Sequence, residues 1–154
     1  MKAAEELTPN DPAVQYGLGL AYKDLKQFDQ ALHAFETAEL RLTAQQVAWA
    51  TSLTYLIQVS KGNLYIEQEK FELAIRAFEA SLARQPEGVG ALNNLAVAYH
   101  HWADHALDDD AVRMKRLECG LEAVNDALAL DPDFPKARRL QTKLQSEIDQ
   151  TRER

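Results

Sequence analysis

Apolar residues recur at helical spacing in residues 62–86, and much of the chain follows the same pattern. The segment reads GNLYIEQEKFELAIRAFEASLARQP. Glu69 and Lys70 interrupt its apolar positions, and Pro86 ends them because proline cannot continue a helix. The segment therefore predicts two short antiparallel helices joined by a tight turn.

The order of small, aromatic and alanine positions in this segment occurs three times. An earlier copy matches it gap for gap: Gly19, Tyr22, Phe28, Ala31, Phe35 and Ala38 correspond to Gly62, Tyr65, Phe71, Ala74, Phe78 and Ser81. The third copy is split, with Leu95, Ala96 and Tyr99 in its first helix and Gly120, Val124, Ala127, Leu130 and Pro132 in its second. A single helix pair cannot bury its apolar face alone, so we expect the pairs to stack.

These residues resemble the tetratricopeptide repeat (TPR) family, whose unit is a helix–turn–helix of roughly 34 residues. The resemblance extends over about residues 7–135. It implies an all-α solenoid of antiparallel helix pairs, wound into a right-handed superhelix and closed by a C-terminal capping helix. It also implies a role in protein–protein interaction and not in catalysis.

We expect a single domain whose parts follow the repeats. Residues 1–11 are the tail of a partial repeat, residues 12–45, 46–88 and 89–134 are repeats 1, 2 and 3, and residues 135–154 are the capping helix. The partial repeat favours a fragment of a longer array, and the alternative is that this short helix serves as a cap. Its uncovered N-terminal end also predicts pairing between copies of the chain, because exposed apolar surface promotes association.

Two departures from the repeat period are expected to lengthen helices. Repeat 2 is about nine residues longer than one period. Thr43–Gln46 resembles a capping box, which predicts one long helix over about residues 44–67. Repeat 3 has about twelve extra residues between its helices, and Asp108–Asp110 there predicts a turn and an N-cap for a helix starting at Ala111.

Small residues are expected where the two helices of each pair cross. Gly19 is predicted to face Ala31, and Gly62 to face Ala74. In repeat 3 the order is reversed, with the glycine, Gly120, on the second helix. A glycine inside a helix costs about 1 kcal/mol relative to alanine, so a close packing contact must offset that cost.

Charge and cysteine content exclude several classes of function. The net charge of −7 disfavours nucleic acid, whose phosphates require a basic face, and gives no attraction to an anionic membrane. Cys119 is the only cysteine, so no internal disulfide forms. The N-terminus has no apolar signal segment, and the most apolar run, residues 47–59, is too short to span a bilayer. We expect a cytoplasmic protein or a soluble domain, with no membrane insertion.

Catalytic motifs are missing: the sequence holds no glycine-rich phosphate loop, nucleophile elbow or paired-cysteine motif. One candidate metal cluster lies in the segment His100–His105. His101 and His105 are four residues apart on one helical face, and with Asp104 or Asp108 they could hold a divalent metal. The glutamate of HExxH metalloproteases is missing, so we expect ordinary surface histidines, with no metal and no cofactor. A metal-dependent enzyme is kept as an alternative.

The first helices of the repeats predict a binding surface, since these helices line the concave groove of a TPR stack. Three stripes point away from the second helices: Tyr16, Leu20 and Lys23; Val59, Asn63 and Ile66; Asn93, Val97 and His100. Five of the nine are apolar or aromatic, whereas a solvated face is normally charged. Asn94 lies beside the stripes, and the asparagines could hydrogen-bond a peptide backbone. The alternative is that the stripes are buried core.

We therefore predict a scaffold or adaptor that holds a peptide or helix of a partner protein in this groove. Some TPR adaptors grip the acidic tail of chaperones with inner basic residues. This sequence offers only Lys23 as an inner basic residue, so that function is not expected. The alternative is a structural module that self-associates or docks to the rest of its own chain.

Overall fold

The computed structural model describes residues 11–44, 49–106 and 109–154 of the chain. Over these ranges the regular structure consists of seven α-helices: α1 (Pro12–Asp24), α2 (Phe28–Ala44), α3 (Ala50–Glu67), α4 (Phe71–Arg84), α5 (Val89–Asp104), α6 (Asp110–Leu130) and α7 (Pro135–Arg152). The fold class predicted from helical spacing, all-α, is confirmed.

Consecutive helices pack as pairs: α1 with α2, α3 with α4, and α5 with α6. α7 packs against α6 and α5, and closes the stack. In addition, α1, α3, α5 and α7 contact one another in that order. These four helices form an inner layer, and α2, α4 and α6 form an outer layer. The arrangement is a helical repeat in which each pair rests on the next.

Two groups of buried side chains form the core. The first is built around Phe35 and Ile57, and the second extends from Phe78 to Leu144 on the closing helix. Tyr65 is half-buried and packs against both groups. Repeat 2 therefore joins the two cores into one continuous apolar interior.

Glycines on the first helices make room for an aromatic ring. A Cβ on Gly19 would lie 2.4 Å from Cε1 of Phe35, and a Cβ on Gly62 would lie 2.5 Å from Cε1 of Phe78. The predicted close contact is therefore present, but the atoms nearest to each glycine belong to a phenylalanine ring and not to the alanine predicted there. The alanines expected there are themselves fully buried. Those alanines are Ala31 and Ala74.

The reversed crossing predicted in repeat 3 is confirmed. A Cβ on Gly120 would lie 3.3 Å from the carbonyl oxygen of Ala96 and 3.4 Å from Cβ of Tyr99. It would also lie 3.5 Å from Cδ1 of Leu144. The closing helix α7 therefore packs over the point where α5 and α6 meet.

The turns within repeats 1 and 2 have the same backbone geometry. Lys26 and Glu69 both have φ of 58°, and within the described ranges they are the non-glycine residues with positive φ. In the first turn the N–H of Gln27 donates to the carbonyl of Tyr22 at 2.9 Å, and the second turn has the equivalent bond at 2.8 Å. This is a Schellman motif, which satisfies the last carbonyls of a helix.

The end of α2 differs from the sequence prediction, which placed the start of a new helix there. α2 continues to Ala44, so Thr43 lies inside its last turn. The Oγ1 of Thr43 donates to the carbonyl of Leu40 at 2.8 Å instead of capping a new helix. The predicted capping box is therefore wrong, and so is the predicted start of the long helix near residue 44, because α3 begins at Ala50. Leu42 is buried in the core, and its burial favours the extension of α2 beyond Thr43. Residues 45–48, which include the end of that box, lie outside the described ranges.

Aspartates cap α1 and α6, the second as predicted. The Oδ1 of Asp11 accepts a hydrogen bond from the N–H of Ala13 at 2.7 Å, at the start of α1. The Oδ1 of Asp109 accepts one from the N–H of Val112 at 3.0 Å. Helix α6 begins at residue 110, one residue before its predicted start. Each cap satisfies a backbone donor that the helix leaves unpaired.

Adding one methyl group at a glycine–ring contact should destabilise the fold. We expect Gly62→Ala to lower the free energy of unfolding by about 1–3 kcal/mol, because the buried ring of Phe78 must move. Gly17→Ala is the matched control: no atom lies within 4 Å of a Cβ there, so stability should rise by up to about 1 kcal/mol. Denaturant unfolding followed by circular dichroism measures both. Equal midpoints for Gly62→Ala and wild type would show that α3 and α4 do not meet at this ring.

Candidate functional site

The inner face is assembled by side-chain contacts between consecutive inner helices. The Oη of Tyr16 on α1 lies 3.3 Å from the Oγ of Ser60 on α3. On α5, the Nδ2 of Asn94 donates to the Oδ1 of Asn63 on α3 at 3.0 Å. These bonds set α1, α3 and α5 side by side, with the three predicted stripes on neighbouring helices.

Most residues predicted to line the groove are half-buried, neither core nor fully exposed. This group is Tyr16, Leu20, Lys23, Val59, Asn63, Ile66, Asn94 and Val97. Asn93 and His100 differ, since each is only 5% exposed. A partner lying on the inner face would therefore meet the half-buried group first, with Asn93 and His100 beneath the surface.

The apolar members of the stripes differ in how far they belong to the core. Tyr16 and Leu20 pack partly against the N-terminal core, and Val59 and Ile66 pack partly against the C-terminal core. Val97 is half-buried but is not part of either core. Its apolar surface therefore contributes more to the inner face than to the interior.

The asparagine pair has hydrogen-bonding capacity left. Asn63 Oδ1 accepts from Asn94 Nδ2, which leaves the Nδ2 of Asn63 and the Oδ1 of Asn94 unpaired with the described residues. Neither atom is among the fully buried polar atoms that lack a partner. The pair can therefore offer one donor and one acceptor to the peptide bonds of an extended chain.

The inner basic residue Lys23 is already neutralised. Its Nζ lies 3.8 Å from the Oδ1 of Asp24 and 3.9 Å from the Oε1 of Glu67 on α3. Glu67 also pairs with Lys26. The α1–α3 part of the inner face therefore carries no uncompensated positive charge from Lys23.

The histidines considered as an alternative metal site, His101 and His105, contact other groups. His105 Nδ1 lies 2.9 Å from the carbonyl oxygen of His101, and its ring centroid lies 4.9 Å from that of Phe71. Burial and the neighbouring His100 lower the pKa of His101 below its usual value. Asp108, the fourth ligand considered, lies outside the described residues.

A different cluster brings possible ligand atoms together. Atoms of His100, Asp104 and Glu147 lie within 4.8 Å of one another. However, the guanidinium of Arg113 already lies among them: its Nη2 donates to Glu147 Oε2 at 2.7 Å, and its Nη1 lies 3.4 Å from Asp104 Oδ1. His100 Nε2 lies 2.8 Å from the other oxygen of Glu147. Because the carboxylates already have a cation, the cluster is a buried ion-pair network that joins α5, α6 and α7.

Removing the centre of this network should destabilise the fold. Glu147→Ala leaves the mostly buried cation of Arg113 with its longer contacts to Asp104 and to the carbonyl of Ala103. We expect the free energy of unfolding to fall by at least about 2 kcal/mol. Glu118→Ala is the matched control, because its pair with Arg152 is more than half exposed on both sides and should contribute less than about 1 kcal/mol.

Thermal and denaturant unfolding of the two variants decide this prediction. If Glu147→Ala and Glu118→Ala changed stability equally, the network would not fasten α7 to the rest of the stack.

Two sequence comparisons agree with the repeats that the structure contains. Residues 59–108 and residues 12–39 each match a tetratricopeptide repeat family model, and together they cover about half of the chain. The chain belongs to the tetratricopeptide repeat family. No curated protein matches the chain. TPR domains are generally protein–protein interaction modules. None of the helices in the described ranges is long and apolar enough to span a bilayer.

Solved TPR structures are similar to this fold at low sequence identity. The C-terminal TPR-containing domain of a Plasmodium falciparum protein superposes with a TM-score of 0.74 at 14% identity, covering 94% of this chain and 92% of its own. The Arabidopsis OM64 TPR domain gives 0.68 at 16% identity, covering 88% and 94%. MamA from Desulfovibrio magneticus gives 0.68 at 23% identity, covering 94% and 72%. At these identities the likeness concerns the fold alone.

Proposed function

We propose that this TPR domain is a non-catalytic scaffold that holds a segment of a partner protein on the inner face of α1, α3 and α5. The observation that supports it most is the half-buried apolar stripe surface, in which Leu20 and Val97 flank the asparagine pair. Apolar side chains of the partner would pack on the two outer stripes. The free donor and acceptor of Asn63 and Asn94 would pair with its peptide bonds. This combination favours an extended segment.

Val97 gives the sharpest test of this groove. Because Val97 lies outside both cores, Val97→Glu should leave the fold intact, while the added charge would need desolvation under a bound segment. We expect Val97→Glu and Leu20→Glu to abolish partner capture from the native extract. Asn63→Ala should weaken capture by about 1–3 kcal/mol.

Leu56→Glu is the matched control, since Leu56 is on α3 and 44% exposed but outside the stripes. Thermal melts run in parallel separate binding from folding. If Val97→Glu and Leu20→Glu melted as early as Gly62→Ala, the stripes would be core. If both stayed folded and captured the same proteins as wild type, the binding surface would lie elsewhere.

One observation favours a second candidate function, self-association through the α1 edge. Lys61 on α3 pairs with Glu39 of the preceding helix at 2.7 Å, and its side chain is 14% exposed. The equivalent position on α1, 43 residues earlier, is Leu18, which is 42% exposed. The position that holds a mostly buried lysine in repeat 2 therefore holds an exposed leucine in repeat 1. A second copy of the chain could cover this leucine.

Leu18→Lys should abolish any self-association without unfolding the chain. An exposed leucine replaced by lysine loses little packing, whereas a lysine in an apolar contact between copies would have to be desolvated. Sedimentation at increasing concentration measures the effect. A wild-type protein that stays monomeric at high concentration, or a Leu18→Lys variant that associates equally, would contradict this candidate.

A further inference from the structure

The first half of α7 is the most basic segment of an acidic chain. Four of the nine residues in 135–143 are Lys or Arg and none is acidic. Arg138 is occupied locally, because its Nε donates to the carbonyl of Pro132 and its Nη2 contacts Asp133 at 3.1 Å. Lys136, Arg139 and Lys143 are exposed, and none forms a hydrogen bond or ion pair with the described residues.

These three cations share one side of the helix. They are spaced i, i+3, i+7, which places them in a row. Glu147 follows Lys143 by one turn and contacts His100 of α5, so this side of α7 is turned towards α5. The field of Lys143 also reaches His101, whose pKa it helps to lower. The row therefore lies on the side of α7 that is turned towards α5, next to the third stripe.

Helix stability does not account for this row. Lys136 lies in the first turn, where a cation opposes the positive end of the helix macrodipole, and α7 has no acidic residue in that turn. The two lysines and the arginine have no hydrogen-bond or ion-pair partner within the described chain. Charges that break a local rule without a compensating contact are expected at functional or strained sites.

We infer that Lys136, Arg139 and Lys143 recognise an acidic segment of the protein that occupies the inner groove. This inference rests on the proposed function. It adds that the bound segment is acidic at one end and states which end of the groove that part occupies. The acidic part of the bound segment would lie at the α7 end, beyond Val97. The cations come from the closing helix, and no free carboxyl terminus is required. Exposed ion pairs are individually weak, so the row fixes orientation and adds a salt-dependent increment to affinity.

The test uses a labelled short peptide that alternates glutamate and serine, titrated into the full chain by NMR. We expect amide shifts on α7 and near His101, and binding that weakens as salt is raised. The double variant Lys136→Glu with Lys143→Glu should bind at least about tenfold more weakly. The control Lys115→Glu, an exposed lysine on α6, should bind like wild type.

The outcomes separate this inference from the groove itself. No shifts on α7, equal binding of a lysine–serine peptide, or an equal loss in Lys115→Glu would overturn it. So would tighter binding of a single-stranded oligonucleotide, which would make nucleic acid the ligand. If Val97→Glu loses partner capture while the double variant keeps all of it, the groove stands and the acidic segment is wrong. If the peptide binds as expected but Val97→Glu still captures the partner, the basic row stands without the groove.

Discussion

The spacing of the helices depends on a glycine backbone lying against a phenylalanine ring. A glycine inside a helix costs about 1 kcal/mol, whereas complete burial of a phenylalanine side chain is worth roughly 1.5–3 kcal/mol. Phe35 and Phe78 have no exposed surface, so the balance favours the glycine at both positions. Since each ring sets the distance between an inner and an outer helix, it also sets how α1 and α3 present their stripes.

The parts of the fold that repeat could be predicted from the sequence, because their signals are local and occur more than once. The spacing of Gly19 and Phe35 recurs at Gly62 and Phe78, and this recurrence identified the helix pairs. Where a sequence signal occurred only once, long-range packing determined the local structure instead. Thr43 fits a capping box by residue type, but burial of Leu42 keeps the threonine inside α2. The residue nearest to each glycine was not predicted for the same reason. Helical spacing shows which face of a helix is buried, but it does not show which residue packs against that face.

The inner face was only partly predictable. Its three stripes follow from helical spacing, and the half-buried state of Leu20 and Val97 agrees with a surface of mixed character. The burial of His100 could not be foreseen, because its contact Glu147 lies 47 residues away and the cation between the helices, Arg113, lies on a third helix. The histidine-rich segment was therefore expected to hold ordinary surface histidines, whereas His100 is buried and fixed by a carboxylate.

This polar network also determines what the far end of the inner face can offer. Glu147 is held by α5 through His100 and by α6 through Arg113, so α7 cannot rotate about its axis without breaking both contacts. Lys143 is one turn from Glu147, and its direction is therefore fixed with it. An apolar contact such as Leu144 would hold α7 in place but would specify its rotation less strictly than two directed bonds. The charge presented beside the third stripe thus depends on a buried network that hydrophobic spacing does not indicate.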